Sequence, residues 1–126
     1  MIFDTDVLIW ALRGSEKAAA VIDSQAEREA SIVSHMELIQ GARDKRELAA
    51  IQRFLIAFQT IPLSEEIGFQ ARGFMEQFAI RSSLELADAL IAASAVRRRS
   101  PLCTGNVKHF RVIKELELQP FRSRRQ

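Results

Sequence analysis

"MIFDTDVLIWALRG", residues 1–14, opens with an apolar segment, turns to carboxylates at Asp4 and Asp6, and continues as "VLIWAL" up to Gly14. This pattern predicts a short buried strand that ends at Asp4 and hands over to a helix, which Gly14 can stop at positive φ. The fold class then depends on whether the alternation repeats downstream. It does: "SEKAAAVIDSQAE" reads as a helix, "ASIVS" (30–34) as a second buried strand, and "HMELIQGA" as helix again. Residues 47–58, "ELAAIQRFLIAF", form an amphipathic helix, and "TIPL" a short strand. Residues 64–79 form a helix opened by Ser64 and weakened by Gly68 and Gly73. "SSLELADALIAASAVRRR" is the most buried helix by composition, "PLCTG" a strand running into a loop, and "LELQPF" a closing strand. Strands of about five residues alternating with helices predict an α/β fold, with a central parallel sheet of four to five strands covered on both faces.

At 126 residues, 48% of them hydrophobic, the chain is expected to form one domain over residues 1–126. No basic leader and no long apolar run precedes Asp4, so a cytoplasmic protein without a membrane span is expected. The single cysteine, Cys103, excludes an intramolecular disulfide framework and a cysteine-based zinc cluster, which leaves it to packing. Net charge is only +2, yet positive charge gathers in "VRRRS" (96–100) and in the tail "FRSRRQ" (121–126). That gathering fits a polyanionic partner. It fits equally a solvated helix end, where arginine suits the dipole, followed by a frayed tail at residues 122–126.

Ligands of open parallel sheets lie beyond the carboxyl ends of the strands, which makes Asp4, residues 34–37 and residues 104–109 expected neighbours. Asp4 and Asp6 face the same way if the chain is still extended there, and two close carboxylates repel unless a cation or a shared proton intervenes. The alternative is that Asp6 caps the helix "VLIWAL" while Asp4 takes a loop hydrogen bond. Glu37 has a similar double reading, because "SHME" matches a capping box with Ser34 as cap and Glu37 reaching back to its amide. "SSLE" repeats the pattern with Ser82 and Glu85, which leaves Asp88 as a carboxylate on a helix of small and apolar residues. Such a group needs a metal, a basic partner or water, and Glu85 on the same face adds negative charge instead. Asp4, Glu37 and Asp88 thus form an oxygen-only set that suits Mg²⁺ or Mn²⁺ better than zinc. Carboxylate-held Mg²⁺ commonly serves phosphate chemistry.

Four blocks, "MIFDTDVLIWALRG", "IVSHMELIQGA", "LELADALIAASA" and "PLCTGNVKHF", in this order resemble the PIN-domain ribonucleases. Within that family they resemble the VapC-type toxins of prokaryotic toxin–antitoxin pairs, over essentially the whole chain. The resemblance implies a PIN-like α/β/α sandwich and a metal-dependent endoribonuclease whose acids are Asp4, Glu37 and Asp88, holding one or two Mg²⁺ or Mn²⁺ ions. It implies hydrolysis of RNA by metal-activated water, leaving 5′-phosphate and 3′-hydroxyl ends. Arg97, Arg98, Arg99 and Lys108 become candidate RNA contacts. Asp6 stands where relatives often carry Asn and is expected in a supporting role, as is Glu85. Many relatives have a further aspartate in the segment matching "TGNVKHF", where this chain offers Thr104, Asn106 and His109. Thr104 can lend a hydroxyl and Asn106 a neutral oxygen, and His109 reads as a hydrogen-bonded structural residue. A homodimer and a VapB-like antitoxin are also implied, with DNA met only through the antitoxin.

Two other readings stay open. "IFDTDVLI" also fits the start of haloacid-dehalogenase-like phosphatases, with Asp4 as nucleophile and Asp6 as acid/base, although the chain has no downstream "DD". The missing fourth acid fits a non-catalytic binding module on the same fold.

Overall fold

In the computed structural model, which describes residues 1–123, the chain runs β1 (Ile2–Phe3), α1 (Thr5–Leu12), α2 (Glu16–Asp23), β2 (Glu29–Ser31), α3 (Ile32–Gln40) and α4 (Lys45–Leu55). It continues through β3 (Gln59–Ile61), α5 (Glu65–Phe78), α6 (Leu86–Arg98), β4 (Leu102–Thr104), α7 (Val107–Phe110) and β5 (Leu118–Pro120). The expectation of a frayed tail, for residues 124–126, lies outside the described residues. No described helix is long and apolar enough to cross a membrane.

All five strands pair in parallel, in the order β3-β2-β1-β4-β5. Successive side chains of a strand point to opposite faces, and the two cores sort accordingly. Ile2 and its neighbour in register, Leu102, face one core with Ile61, Phe74, Ala89, Ile91 and Ala92. Phe3 and Cys103, one position on, face the other core with Ala30, Val7, Leu8, Ala18 and Leu55. Helices α5 and α6 therefore cover one face of the sheet, and α1, α2 and α4 cover the other. Cys103 is a buried free thiol that packs as expected, and burial pushes it up to about 11.

Several boundaries differ from the sequence reading. The second strand covers Glu29–Ser31, since these residues pair one by one with Gln59, Thr60 and Ile61, and α3 begins at once behind it. Ser31 caps α3 by accepting from the Val33 amide at 3.0 Å, so Ser34 lies inside the helix and "SHME" forms no capping box. Likewise α6 begins at Leu86 with Glu85 as its cap, and the Ser82 hydroxyl instead donates to the Phe78 carbonyl at 2.8 Å. Asp44 opens α4 ahead of the expected start, accepting from the Glu47 amide at 2.8 Å. Ser64 caps α5, and Gly14 takes φ +90° behind α1, both as expected.

The chain moves outward from β1 through β2 to β3, then returns to the other side of β1 for β4 and β5. The crevice beyond the carboxyl ends of β1 and β4 is therefore the topological switch point, where open parallel sheets bind ligands. Asp4 follows β1 directly, and Thr104 ends β4.

Candidate active site

Asp4 is 4% exposed and caps α1, its Oδ1 accepting from the Thr5 amide at 2.8 Å. The capping role expected of Asp6 falls to Asp4 because the helix starts at Thr5, which makes Asp4 the extended residue between the strand and the first turn and puts Asp6 inside the helix. Asp4 Oδ2 accepts from the Thr104 hydroxyl at 2.7 Å, and Thr104 Oγ1 in turn accepts from the Asn106 amide at 2.9 Å. Asp6 stands in the first turn of α1, where its Oδ2 accepts from the Gly105 amide at 2.9 Å. A Cβ on Gly105 would lie 2.7 Å from that oxygen, so a residue without a side chain is what lets the loop after β4 reach Asp6. Asp6 Oδ1 is buried with no hydrogen-bond partner among the described residues.

Asp4 is pushed from 3.8 up to about 7, by burial first and by the neighbouring Asp6 and Asp88 charges, against the pull of the bonds from Thr104 and Thr5. Burial also raises Asp6. The site therefore concentrates carboxylates where water is scarce, which is the electrostatic problem a divalent cation relieves. The donors are hard oxygens, and one of them, Asp6 Oδ1, is buried without a partner among the described residues, so the residues fit such an ion. Among the described residues, no three His, Cys, Asp or Glu side chains form a ready-made chelate.

Asp88 takes the part that "SSLE" assigned to Glu85. In the capping box of α6, the Glu85 amide donates to Asp88 Oδ2 at 3.0 Å. His109 Nδ1 lies 3.1 Å from the same oxygen, so the histidine is hydrogen-bonded, and to an acid of the site. With Oδ2 bonded twice, Oδ1 has no hydrogen bond to a described residue and is the oxygen left for a ligand. Glu37 is more exposed and is held at one remove, as Thr5 Oγ1 donates to Glu37 Oε1 at 2.6 Å and lies 2.8 Å from the Ser34 hydroxyl. Thr5 is the residue the sequence reading passes over. Its position between the two aspartates, where the chain turns from strand to helix, is the signal that marks it.

Of the basic candidates, Lys108 is exposed on α7 beside His109, at the acid edge. Arg97, Arg98 and Arg99 are not brought to the acids. Helix α6 starts at the acid edge and its 13 residues carry its other end about 20 Å away. There Arg98 Nε donates to Glu29 Oε2 at 2.6 Å, the Ser100 hydroxyl donates to Glu29 Oε1 at 2.9 Å, and the Met1 ammonium lies 3.3 Å from that second oxygen. Burial pushes Glu29 up, but these partners outweigh it and leave the carboxyl below its ordinary value.

The PIN domain family model matches residues 1–116, and the chain belongs to the PIN domain family. It is 35% identical to "Ribonuclease VapC10" of Mycobacterium tuberculosis, over 93% of this chain and 90% of the relative. It is 32% identical to "Ribonuclease VapC19" of the same organism, over 92% and 96%. Among solved structures, it resembles a toxin–antitoxin complex from Klebsiella pneumoniae, with a TM-score of 0.81 and 26% identity over 95% of this chain and 97% of that one. It also shares its fold with VapBC-1 from nontypeable Haemophilus influenzae, with a TM-score of 0.82 and 24% identity over 95% and 98%. Family membership sets the phosphatase reading aside.

Proposed function

We propose that this chain is a ribonuclease of the VapC kind, hydrolysing RNA phosphodiesters with Asp4, Asp88 and Glu37 and paired with a VapB-like antitoxin. The observation that carries this reading is the burial of Asp4 against Asp6 and Asp88 at the β1–β4 switch point, in a chain whose relatives are named ribonucleases. Asp4 and Asp88 are the residues to hold Mg²⁺ or Mn²⁺, with water completing the shell, as Mg²⁺ readily accepts. Such an ion, when bound, polarises a phosphoryl oxygen, lowers the pKa of an attacking water and offsets charge on the leaving oxygen.

The chain's own residues then orient the parts. Thr5 and Thr104 fix both oxygens of Asp4, and His109 with the Glu85 amide fixes Asp88 so that Oδ1 faces the site. Glu37, steadied by Thr5 at Oε1, keeps Oε2 to orient a water or take its proton. Lys108 stands at the exposed edge for phosphate contact. No residue here is required as a nucleophile, so hydrolysis proceeds without a covalent intermediate. The solved toxin–antitoxin complexes that share the fold support an antitoxin partner, and we extend the proposal to a homodimer that meets DNA through that antitoxin.

The test compares the purified protein and Asp4→Asn on RNA and on a generic phosphomonoester, with Mg²⁺, with Mn²⁺ and with EDTA. RNA cleavage that both EDTA and the substitution abolish is the expected result. Cleavage that survives both overturns the reading, and RNA binding without cleavage under any metal replaces it with the binding module.

A further inference from the structure

Beside the acids, the same edge carries a cleft of about 340 Å³ lined by Asp6, Trp10, Gly105, Asn106, Phe121 and Arg122. Trp10 follows Asp6 by one turn of α1, so both project from one face of the helix. Trp10 is 36% exposed, so part of a large aromatic residue lining the cleft is open to solvent. Across the cleft, Phe121 is anchored to β4 through its amide, which donates to the Thr104 carbonyl at 2.8 Å. Asn106 is exposed, and its side chain makes no capping bond to α7. The cleft thus shares Asp6, Gly105 and Asn106 with the acid site and adds an indole and a guanidinium.

We propose that this cleft is a nucleobase subsite, in which one unpaired base flanking the scissile phosphate stacks on Trp10. The inference rests on the ribonuclease reading and names where its substrate is gripped. Every base has a π-face for the indole, so stacking holds the strand with little regard to sequence. The Asn106 amide offers both a donor and an acceptor, which suits it to the edge of the stacked base. The volume is at the small end for ligand pockets, enough for a base and too small to bury a peptide helix.

The chain has one tryptophan and no tyrosine, so its intrinsic emission reports this cleft alone. Single-stranded RNA pentanucleotides are titrated in EDTA, with binding followed independently by the anisotropy of labelled RNA, and again in Mg²⁺ with Asp4→Asn. The expected result is quenching in step with anisotropy. In cleavage assays, Trp10→Ala raises KM about tenfold with kcat within about twofold, and Trp10→Phe recovers most of the loss. A merely structural defect would instead lower kcat through the folded fraction. RNA that binds or is cut while emission stays constant, or an unchanged KM in Trp10→Ala, overturns the subsite and leaves the ribonuclease reading standing. A wild-type protein that neither binds nor cuts RNA overturns both. Quenching by an antitoxin segment in place of RNA assigns the cleft to that partner and also overturns the proposal.

Discussion

The Thr104 hydroxyl donates to Asp4 Oδ2 while accepting from the Asn106 amide, so one fully buried side chain ties together the ends of two adjacent strands 100 positions apart in sequence. Thr104→Val keeps the shape and removes both bonds, leaving a buried carboxylate oxygen and an amide without partners. The expected loss is on the order of 1–3 kcal/mol of stability. RNA cleavage falls about tenfold as Asp4 loses its orientation. Thr104→Ser restores both, and thermal unfolding with initial-rate assays checks the pair.

The raised pKa of Asp4 gives metal-free protein a defined pH response. The folded chain holds a proton on Asp4 up to about pH 7, whereas the unfolded chain releases it near 3.8. The folded state therefore binds more protons between those values, and stability falls as pH rises through that window. At 1.36 kcal/mol per unit the fall is on the order of 4 kcal/mol. Melting temperatures recorded across the window check this, and saturating Mn²⁺ flattens the decline by compensating the ionised carboxylate. A melting temperature that climbs with pH over the same range contradicts the assignment.

His109 and Asp88 make a second pair to separate. His109→Ala removes the side chain 3.1 Å from Asp88 Oδ2 and leaves the carboxylate to swing about its remaining bond from the Glu85 amide. Mn²⁺ affinity, measured by titration calorimetry, is expected to drop about tenfold. His109→Asn, whose amide can donate in the same place, recovers part of it. Equal affinity in all three proteins rejects the orienting role.

Arginines at the far end of α6 should behave as structural groups. Arg98→Gln leaves Glu29 buried with fewer partners and lowers stability by about 1–3 kcal/mol, reduced by the partial exposure of Arg98. The salt dependence of RNA binding is expected to keep its slope in that variant. In Lys108→Gln the slope falls by about one. Equal effects on the slope at both positions argue against this division of roles.

Alternation of apolar strands with helices was legible from residue types, since Ile2, Leu102 and Ile61 had to be buried and their periods admitted few other solutions. Harder to read was the register of helix starts. "SHME" and "SSLE" both satisfy the capping pattern, yet Ser31 and Glu85 cap instead, because strand pairing at residues 29–31 and the bend at Ser82 decide where each helix can begin. Asp4, Glu37 and His109 were placed in one neighbourhood by the strand-end rule, whereas Asp88 joined them only as a carboxylate on an apolar helix and through the family resemblance. Which atom bonds which was not readable, since the Thr5–Glu37 and His109–Asp88 contacts join segments about thirty and twenty residues apart. The placing of the arginine run was hidden for a related reason: helix length, not charge, sets which edge of the sheet it reaches.

The order of the strands bears on when the site comes into being. Asp4, Glu37 and Asp88 leave the ribosome well before β4, but Asp4 lacks its second hydrogen bond, Asp6 its Gly105 amide and Asp88 its histidine until residues 104–109 are added. A nascent chain therefore carries the acids without the arrangement that makes them useful. On the proposed ribonuclease reading, synthesis of the chain is thus separated in time from its competence to cut RNA, by the position of one late strand.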